Sequence, residues 1–593
     1  RLMKKFPFST IICTAAVLIS CIIILAFGMP KGLPREEDTQ FSSGSGIQID
    51  HLTDLQADSL FKLGKVWGYV KYRHPSVIDG SINWDAELFR VMPSLLEAGS
   101  AEEANGILFR WLGGFPFEIS EPDAVSQYWM ERQEGSGTSL DTSWIEDAAY
   151  LGSDLSGYLC RLSQVLVSDR RDSYAYLDGR DGLINFDNEQ FLSFDPQDDG
   201  AKLLSLFRFW NIYEYYSPNQ AITVQDWDEV LRQAIPKMPS ADTQKEYVLS
   251  IAETAALTGD AHISVSDPAD TVDTYYGTFF LPCSFLTIDG KVVVADAAAP
   301  DTGDRLEPGD VIESIDGTTI EERIQTLSRY TPLPETDKFA VALSSSLLRT
   351  SGSTSEVVVT RGSEELTLHV NALQNSFTQE DSPKSKLIKD GQIGYISPVM
   401  SSEEELIETM NKMDGTKGLI IDLRMYPSNL IRFSLPEYLM NESAEFAQVS
   451  FPNPVSPGSF ITSPQSCGAV SKRSGYAKDR FHYEGKVVIL MDETTMSRAE
   501  YTVMALRQAS GAVVVGAPSC GADGDVVSVT LPGSVSMNIS SRGIYTPEGG
   551  QTQRIGLEPD IPCTPTIEGV REVRDELIEK ATEIILEDST SAP

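Results

Sequence analysis

Apolar and polar positions change rhythm several times along the chain, and each rhythm predicts a different kind of structure. Near the start, "FPFSTIICTAAVLISCIIILAFGM" (6–29) is an apolar run behind Lys4 and Lys5, long enough to cross a bilayer. Residues 60–96 and 203–238 then carry one pattern twice. Each copy has apolar residues at helical spacing around a Trp (Trp67, Trp210) and an aromatic-rich stretch ending in Pro75 or Pro218. A Trp-Asp pair (Trp84-Asp85, Trp227-Asp228) then opens a second helix, whose first turn favours the negative charge. The aromatics of this doubled hairpin read as core, and His74, before Pro75, as a structural residue. Between the copies, "YLCRLSQVLV" (158–167) reads as a strand and "DRRDSYAYLDGRDG" as turns.

From 275 to 372 the rhythm shortens to β-branched runs separated by Gly and Asp turns. "EVVVTRGSEELTLHV" predicts a hairpin about Arg361-Gly362, and "IEERIQTLSRY" a helix. From about 390, strands and helices alternate: "GQIGYISP", "SEEELIETMNKM", "KGLIIDLRMYP", "GKVVILMD", "RAEYTVMALRQA", "AVVVGAP". That alternation predicts an α/β core. "IEGVREVRDELIEKATEIILED" predicts one closing amphipathic helix. The expected fold class is therefore multidomain α+β. Its segments are 1–30 (signal peptide or membrane anchor), 31–55 (linker, including the polar "REEDTQFSSGSG"), 56–270 (helical, duplicated), 271–375 (β-rich) and 385–590 (α/β).

Composition narrows the function. At 593 residues the chain is too long for one core. Asp+Glu outnumber Lys+Arg by 86 to 47, a formal net charge of −39, which argues against nucleic-acid binding. Cys13 and Cys21 lie in the apolar run; Cys160, Cys283, Cys467, Cys520 and Cys563 are scattered, with neither a disulfide framework nor CxxC spacing. No metal and no cofactor is expected. "LISC", ending at Cys21, resembles a bacterial lipoprotein box, but the apolar run continues beyond it, which favours ordinary export or an uncleaved anchor with Lys4 and Lys5 inside. No HExxH, GxSxG or Walker loop appears.

Candidate chemistry centres on "DETTMSRAEYTVMAL" (492–506). Ser497 and Glu500 have capping-box spacing at a helix start, and Ser497 equally suits a nucleophile on a strand-to-helix turn, beside amides that can hold an oxyanion. The surroundings weigh on this choice. "LEPGDVIESIDGTTI" looks like a PDZ-domain pattern. In order after it come "KGLIIDLRMYPS", "MSRAEYT", "VVVGAPSCGADGDVVSVTLP" and "GLEPDI". Together these resemble the S41 serine peptidases, which include the C-terminal processing proteases and the tricorn core protease, over roughly 250–590. The duplicated segment resembles the N-terminal part of a bacterial, envelope-associated branch.

The resemblance implies a PDZ-like domain at 271–375, with "YYGTFFLP" as its carboxylate-loop and edge-strand region, and a ClpP/crotonase-like catalytic domain at 385–590. It implies Ser497 as nucleophile. The processing proteases' Lys base falls at Ala522, so that dyad is absent. The tricorn-like base falls at His262 in "TGDAHISV", and the carboxylate that orients it falls at Gln553, with Glu500 and Glu558 as substitutes. Oxyanion donors would be the Arg498 amide and one from 426–429, assigned to Ser428; Pro427 has none to give. Asp422 and Arg424 read as a structural pair. Implied are an acyl-enzyme peptidase of the bacterial cell envelope, periplasmic or membrane-anchored, and a peptide or protein partner docked at the PDZ-like domain. The rival is an envelope scaffold with a peptidase fold and a lost site, as Ala522 and Gln553 suggest. A glycan-binding surface built from the aromatics is the third reading.

Overall fold

The computed structural model describes residues 35, 37–177, 182–189, 193–298, 303–334, 338–377, 384–429, 431–468 and 480–588. The apolar run at 6–29, with Cys13 and Cys21, lies outside them. Among the described residues no helix is long and apolar enough to cross a membrane.

The duplication is visible in three dimensions. Its helices are Asp54–Lys71 with Trp84–Leu96, and Asp199–Tyr216 with Trp227–Ala234. A buried indole N–H needs an acceptor, and each copy solves this alike. Trp67 Nε1 donates to the Trp84 carbonyl (3.0 Å) and Trp84 Nε1 to that of Trp67 (2.9 Å). Trp210 and Trp227 exchange the same pair of bonds, at 2.7 and 3.2 Å. The two long helices cross where Gly64 and Gly68 make room. A Cβ on Gly68 would lie 1.8 Å from Asn211 Oδ1, and Asn211 Nδ2 donates to the Gly64 carbonyl at 3.0 Å.

Charges cross between the copies as well. Lys65 pairs with Asp228 (2.6 Å) and Arg208 with Asp85 (2.9 Å). Lys65 and Arg208 hold matching positions, as do Asp85 and Asp228, so the relation is that of a pseudo-two-fold axis. Lys71 and Glu189 complete a buried cluster of two cations and two anions around Asp85 and Arg208.

Three expectations are corrected. Residues 35–53 are no loose linker: Asp38 binds Arg90 through both oxygens (2.8 and 2.6 Å), the Ser45 amide donates to Asp198, and Ile47 and Ile49 are buried. Apolar alternation at 47 and 49, with charges matched elsewhere in the chain, pins the segment down. The strand expected at 158–167 is instead the helix Ser153–Leu162, because Leu155, Leu159 and Leu162 fall on one buried helical face. The closing helix is two, Ile567–Arg571 and Glu576–Asp588, broken where Val573 takes φ 55°.

The β-rich region holds an antiparallel sheet in the order Glu364–Asn371, Thr354–Arg361, Val311–Ile315, Lys291–Ala297, Cys283–Ile288, with its own apolar core. The α/β region has a six-stranded sheet: Ser385–Ile388, Ile393–Ile396, Gly418–Asp422, Lys486–Met491, Val513–Gly516, Ile561–Pro562. It is parallel beyond its first pair, and the helix Glu576–Asp588 packs Leu577, Ala581 and Ile585 on one face.

The helical and α/β regions share material. Val529, Leu531, Val535, Met537 and Ile539, from the hairpin Val526–Leu531/Val535–Ser540, belong to the helical core. Ser264–Ser266 adds a third strand to that hairpin, and this pairing carries His262 to the α/β region.

Candidate active site

Ser497 stands between the strand Lys486–Met491 and the helix Arg498–Leu506, with φ 54° and ψ −119°. A side chain in this left-handed region costs about 1–3 kcal/mol and is kept only where the surroundings enforce it. Here they do. The Ser497 amide donates to the Ala522 carbonyl (2.6 Å) and to Glu500 Oε2 (3.0 Å). Its hydroxyl points to the Gly524 carbonyl at 3.4 Å and lines a cleft of about 370 Å³.

Glu500 is fully buried and saturated. Oε1 accepts from Ser519 Oγ (2.5 Å) and the Gly521 amide (2.9 Å); Oε2 accepts from the Ala522 amide (3.0 Å) as well as from Ser497. Burial pushes its carboxyl up, and these four donors offset part of that rise. Glu500 therefore clamps the 519–522 loop to the helix start. Gly521 is needed in that loop: at φ 79°, a Cβ would meet the Arg554 backbone at 2.9 Å.

His262 is half-buried in the turn just before the strand Ser264–Ser266, and Ser540 Oγ lies 3.4 Å from its Nδ1. Burial lowers its pKa, opposed by Asp260 and Asp525, so the neutral ring is favoured. Gln553 does not take the His262 ring, contrary to its expected role. Its Nε2 donates to Asp260 Oδ1 (2.7 Å) and its Oε1 accepts from the Asp523 amide (2.8 Å). Asp260 in turn accepts from the His262 backbone amide (3.0 Å) and from Asn219 (3.1 Å). Gln553 thus ties the Asp260 side chain, and through it the 260–262 turn, to the backbone of the 519–524 loop. Glu558 is exposed and holds Arg507 through its carbonyl. No hydrogen bond joins Ser497 Oγ to His262 among the described residues.

The expected oxyanion pair is half available. The Arg498 amide has no acceptor among the described residues, whereas the Ser428 amide is spent on the Pro398 carbonyl (3.0 Å). In the same loop Tyr426 lines the cleft, and its amide has no acceptor among the described residues. Arg498 holds this loop in place: its guanidinium donates to the Pro427 carbonyl (3.2 Å) and lies over the Tyr426 ring. Asp422 and Arg424 form a two-bond pair, extended to Asp575. Asp523, on the cleft wall, is buried with Oδ2 unpartnered, and burial together with Glu500 and Asp525 holds its carboxyl well above the usual range.

Residues 446–563, which contain Ser497, the Glu500 clamp and Gln553, match the family model of Peptidase family S41. Over this stretch the chain is similar to peptidase family S41. His262 and the 426–428 loop lie outside the matched residues. Among solved structures, mature CPAF complexed with lactacystin is 14% identical over 65% of this chain and 98% of its own, with a TM-score of 0.50. The photosystem II D1 C-terminal processing protease is 18% identical over 63% and 97%, TM-score 0.38. The tricorn protease is 15% identical over 66% and 37%, TM-score 0.33. The likeness to CPAF is one of fold. A search of curated proteins found no match.

Within the S41 stretch, Ala522 is fully buried and offers only backbone to Ser497. Ser540 and Asp523 carry no sequence signal as site residues, whereas Tyr426 lies in the 426–429 stretch expected to give an oxyanion donor. Ser540 has no motif around it, and its contact with His262 joins residues 278 positions apart.

Proposed function

We propose that the chain is a peptidase of the cell envelope, exported or membrane-anchored, that cleaves peptides or proteins through an acyl-enzyme on Ser497. The observation that carries this is the enforced left-handed Ser497 at a strand-to-helix turn, its hydroxyl in a cleft. His262 acts as base. Neutral imidazole can take the Oγ proton once the hydroxyl turns from Gly524, and catalytic hydrogen bonds commonly close only when substrate is bound. Ser540 Oγ accepts from Nδ1–H and fixes the tautomer, without the charge an acid would add. The amides of Arg498 and Tyr426 receive the oxyanion, since both lack internal acceptors.

The β-rich region serves as the PDZ-like docking domain. A groove beside its edge strand Cys283–Ile288, flanked by 340–348, suits an extended peptide added as a strand. Glu493 and Thr494, just before the nucleophile, line the same groove, so a docked peptide would be led toward Ser497.

A fluorophosphonate probe tests the reading: labelling of the parent, lost in Ser497→Ala, supports it. The lack of any acid hydrogen-bonded to His262 Nδ1 among the described residues favours a second reading, a peptide-binding scaffold with an inactive site. Folded parent protein that never labels would establish that reading instead.

A further inference from the structure

We infer that the wall of the Ser497 cleft holds a carboxylate-binding subsite centred on Arg432, so that the preferred peptide presents an anionic group beside the bond that is cut. This inference rests on the peptidase reading and names its substrate class.

Three arginines line the cleft, and they are not equivalent. Arg542 is neutralised by Asp525 at 2.7 Å. Arg498 is spent on the 426–427 loop. Arg432 is different. Its guanidinium packs by the rings of Phe433 (4.8 Å) and Tyr501 (5.6 Å), and its buried Nε has no hydrogen-bond partner among the described residues. No acidic side chain pairs with it among the described residues. Arg170 and Arg323 also have no acidic partner among the described residues but donate to backbone carbonyls, whereas the Arg432 guanidinium makes no hydrogen bond among them.

An aromatic-backed guanidinium is already oriented, so a carboxylate can bind it through two parallel hydrogen bonds with little ordering left to do. Asp523 does not cancel the charge. Burial, with Glu500 and Asp525 nearby, raises its carboxyl well above the usual range, so it opposes the arginine charge less than an exposed carboxylate would. With Arg542 and Asp525 cancelling, Arg432 and Arg498 leave the cleft cationic. The anion has two sources in a peptide, an Asp or Glu side chain or the C-terminal carboxylate, and the same guanidinium suits both.

The test is a peptide library digested by the full chain and read by mass spectrometry, with fluorophosphonate labelling run in parallel on the parent. Matched pairs differ only in Asp or Glu against Asn or Gln near the cut, or in a free against an amidated C-terminus. The expected result is preference for the acidic member of one pair type, which also identifies the source. Arg432→Gln should lower kcat/KM for that member by about tenfold to a hundredfold, the size of one charge-assisted bond. Arg432→Glu should turn preference toward Lys and Arg, and equal melting temperatures would show that both variants fold. A parent that labels and cleaves without regard to charge overturns the subsite and leaves the peptidase reading intact, as does a preference that survives in both variants. A parent that never labels overturns the peptidase reading. The subsite is then judged by fluorescence anisotropy of the same peptide pairs: tighter binding of the acidic member, lost in Arg432→Glu, supports it, and equal binding overturns it.

Discussion

Strain at Ser497 can be measured by comparing two variants, Ser497→Ala and Ser497→Gly. Both lose the hydroxyl, and with it the 3.4 Å contact to the Gly524 carbonyl, so that loss cancels. They differ in Cβ. At φ 54° and ψ −119° Ala keeps the steric conflict, about 1–3 kcal/mol, whereas Gly has none. Gly gives back about 0.5–1 kcal/mol through the extra freedom of its unfolded chain. The expected balance is that Ser497→Gly is more stable than Ser497→Ala by up to about 2 kcal/mol. That corresponds to a few degrees, at about 2–4 °C per kcal/mol for a domain of this size. Calorimetry is the suitable assay. All seven tryptophans lie between Trp67 and Trp227, so tryptophan fluorescence follows the helical core and not the strand that precedes Ser497. A glycine variant that melts at or below the alanine variant would refute the strain argument, and with it the claim that the fold enforces the nucleophile's position.

Other outcomes follow from the same contacts. With His262 as the proposed base, active when neutral and with its pKa depressed by burial, kcat/KM should hold above the ordinary imidazole value of about 6.5 and fall only below it; Ser540→Ala should lower kcat more than KM, and an acid limb that survives in His262→Gln would exclude this base. Gln553→Glu sets a second carboxylate against Asp260 Oδ1 and removes the donor now bonded there at 2.7 Å. The new carboxyl's folded pKa is raised, so the variant should be nearest to the parent in stability below the unfolded value of about 4.3 and lose ground as pH rises, read as a widening melting difference from pH 4 to 8. Arg208→Met strips both Asp85 and Glu189 of a buried partner and should cost about 3–5 kcal/mol in urea unfolding followed by tryptophan fluorescence.

What could be read in the sequence was what local pattern carries. The strand, turn and helix around Ser497 announce themselves in consecutive residues, as do the two Trp-Asp hairpins. Side-chain partners far apart in the chain do not. Nothing in "SVSMNIS" marks Ser540 as the neighbour of His262, because a strand pairing between 264–266 and 536–538 creates that contact. The 35–53 segment looked like a linker because its polar residues find their partners, Arg90 and Asp198, in other elements. Gln553 was aimed at the imidazole because family spacing fixes a backbone position, and it turned out to bind Asp260 because spacing says nothing about which of two nearby groups an amide selects.

The crossed ion pairs of the duplicated hairpins amount to a dimer interface written into one polypeptide. Lys65 is answered by Asp228, and Arg208 by Asp85, so at the matching positions each copy's cation finds an acid in the other copy. A fragment ending between the copies would leave Lys71 and Asp85 without Arg208, and should not hold its shape alone. Two identical hairpins meeting on a true two-fold axis would present the same residue twice at each crossing. Fusion lifts that restriction: Gly64 and Gly68 yield on one helix while Phe207 and Asn211 fill the space from the other. Covalent linkage makes this pairing independent of concentration, and lets each partner vary without a mirrored change in its twin.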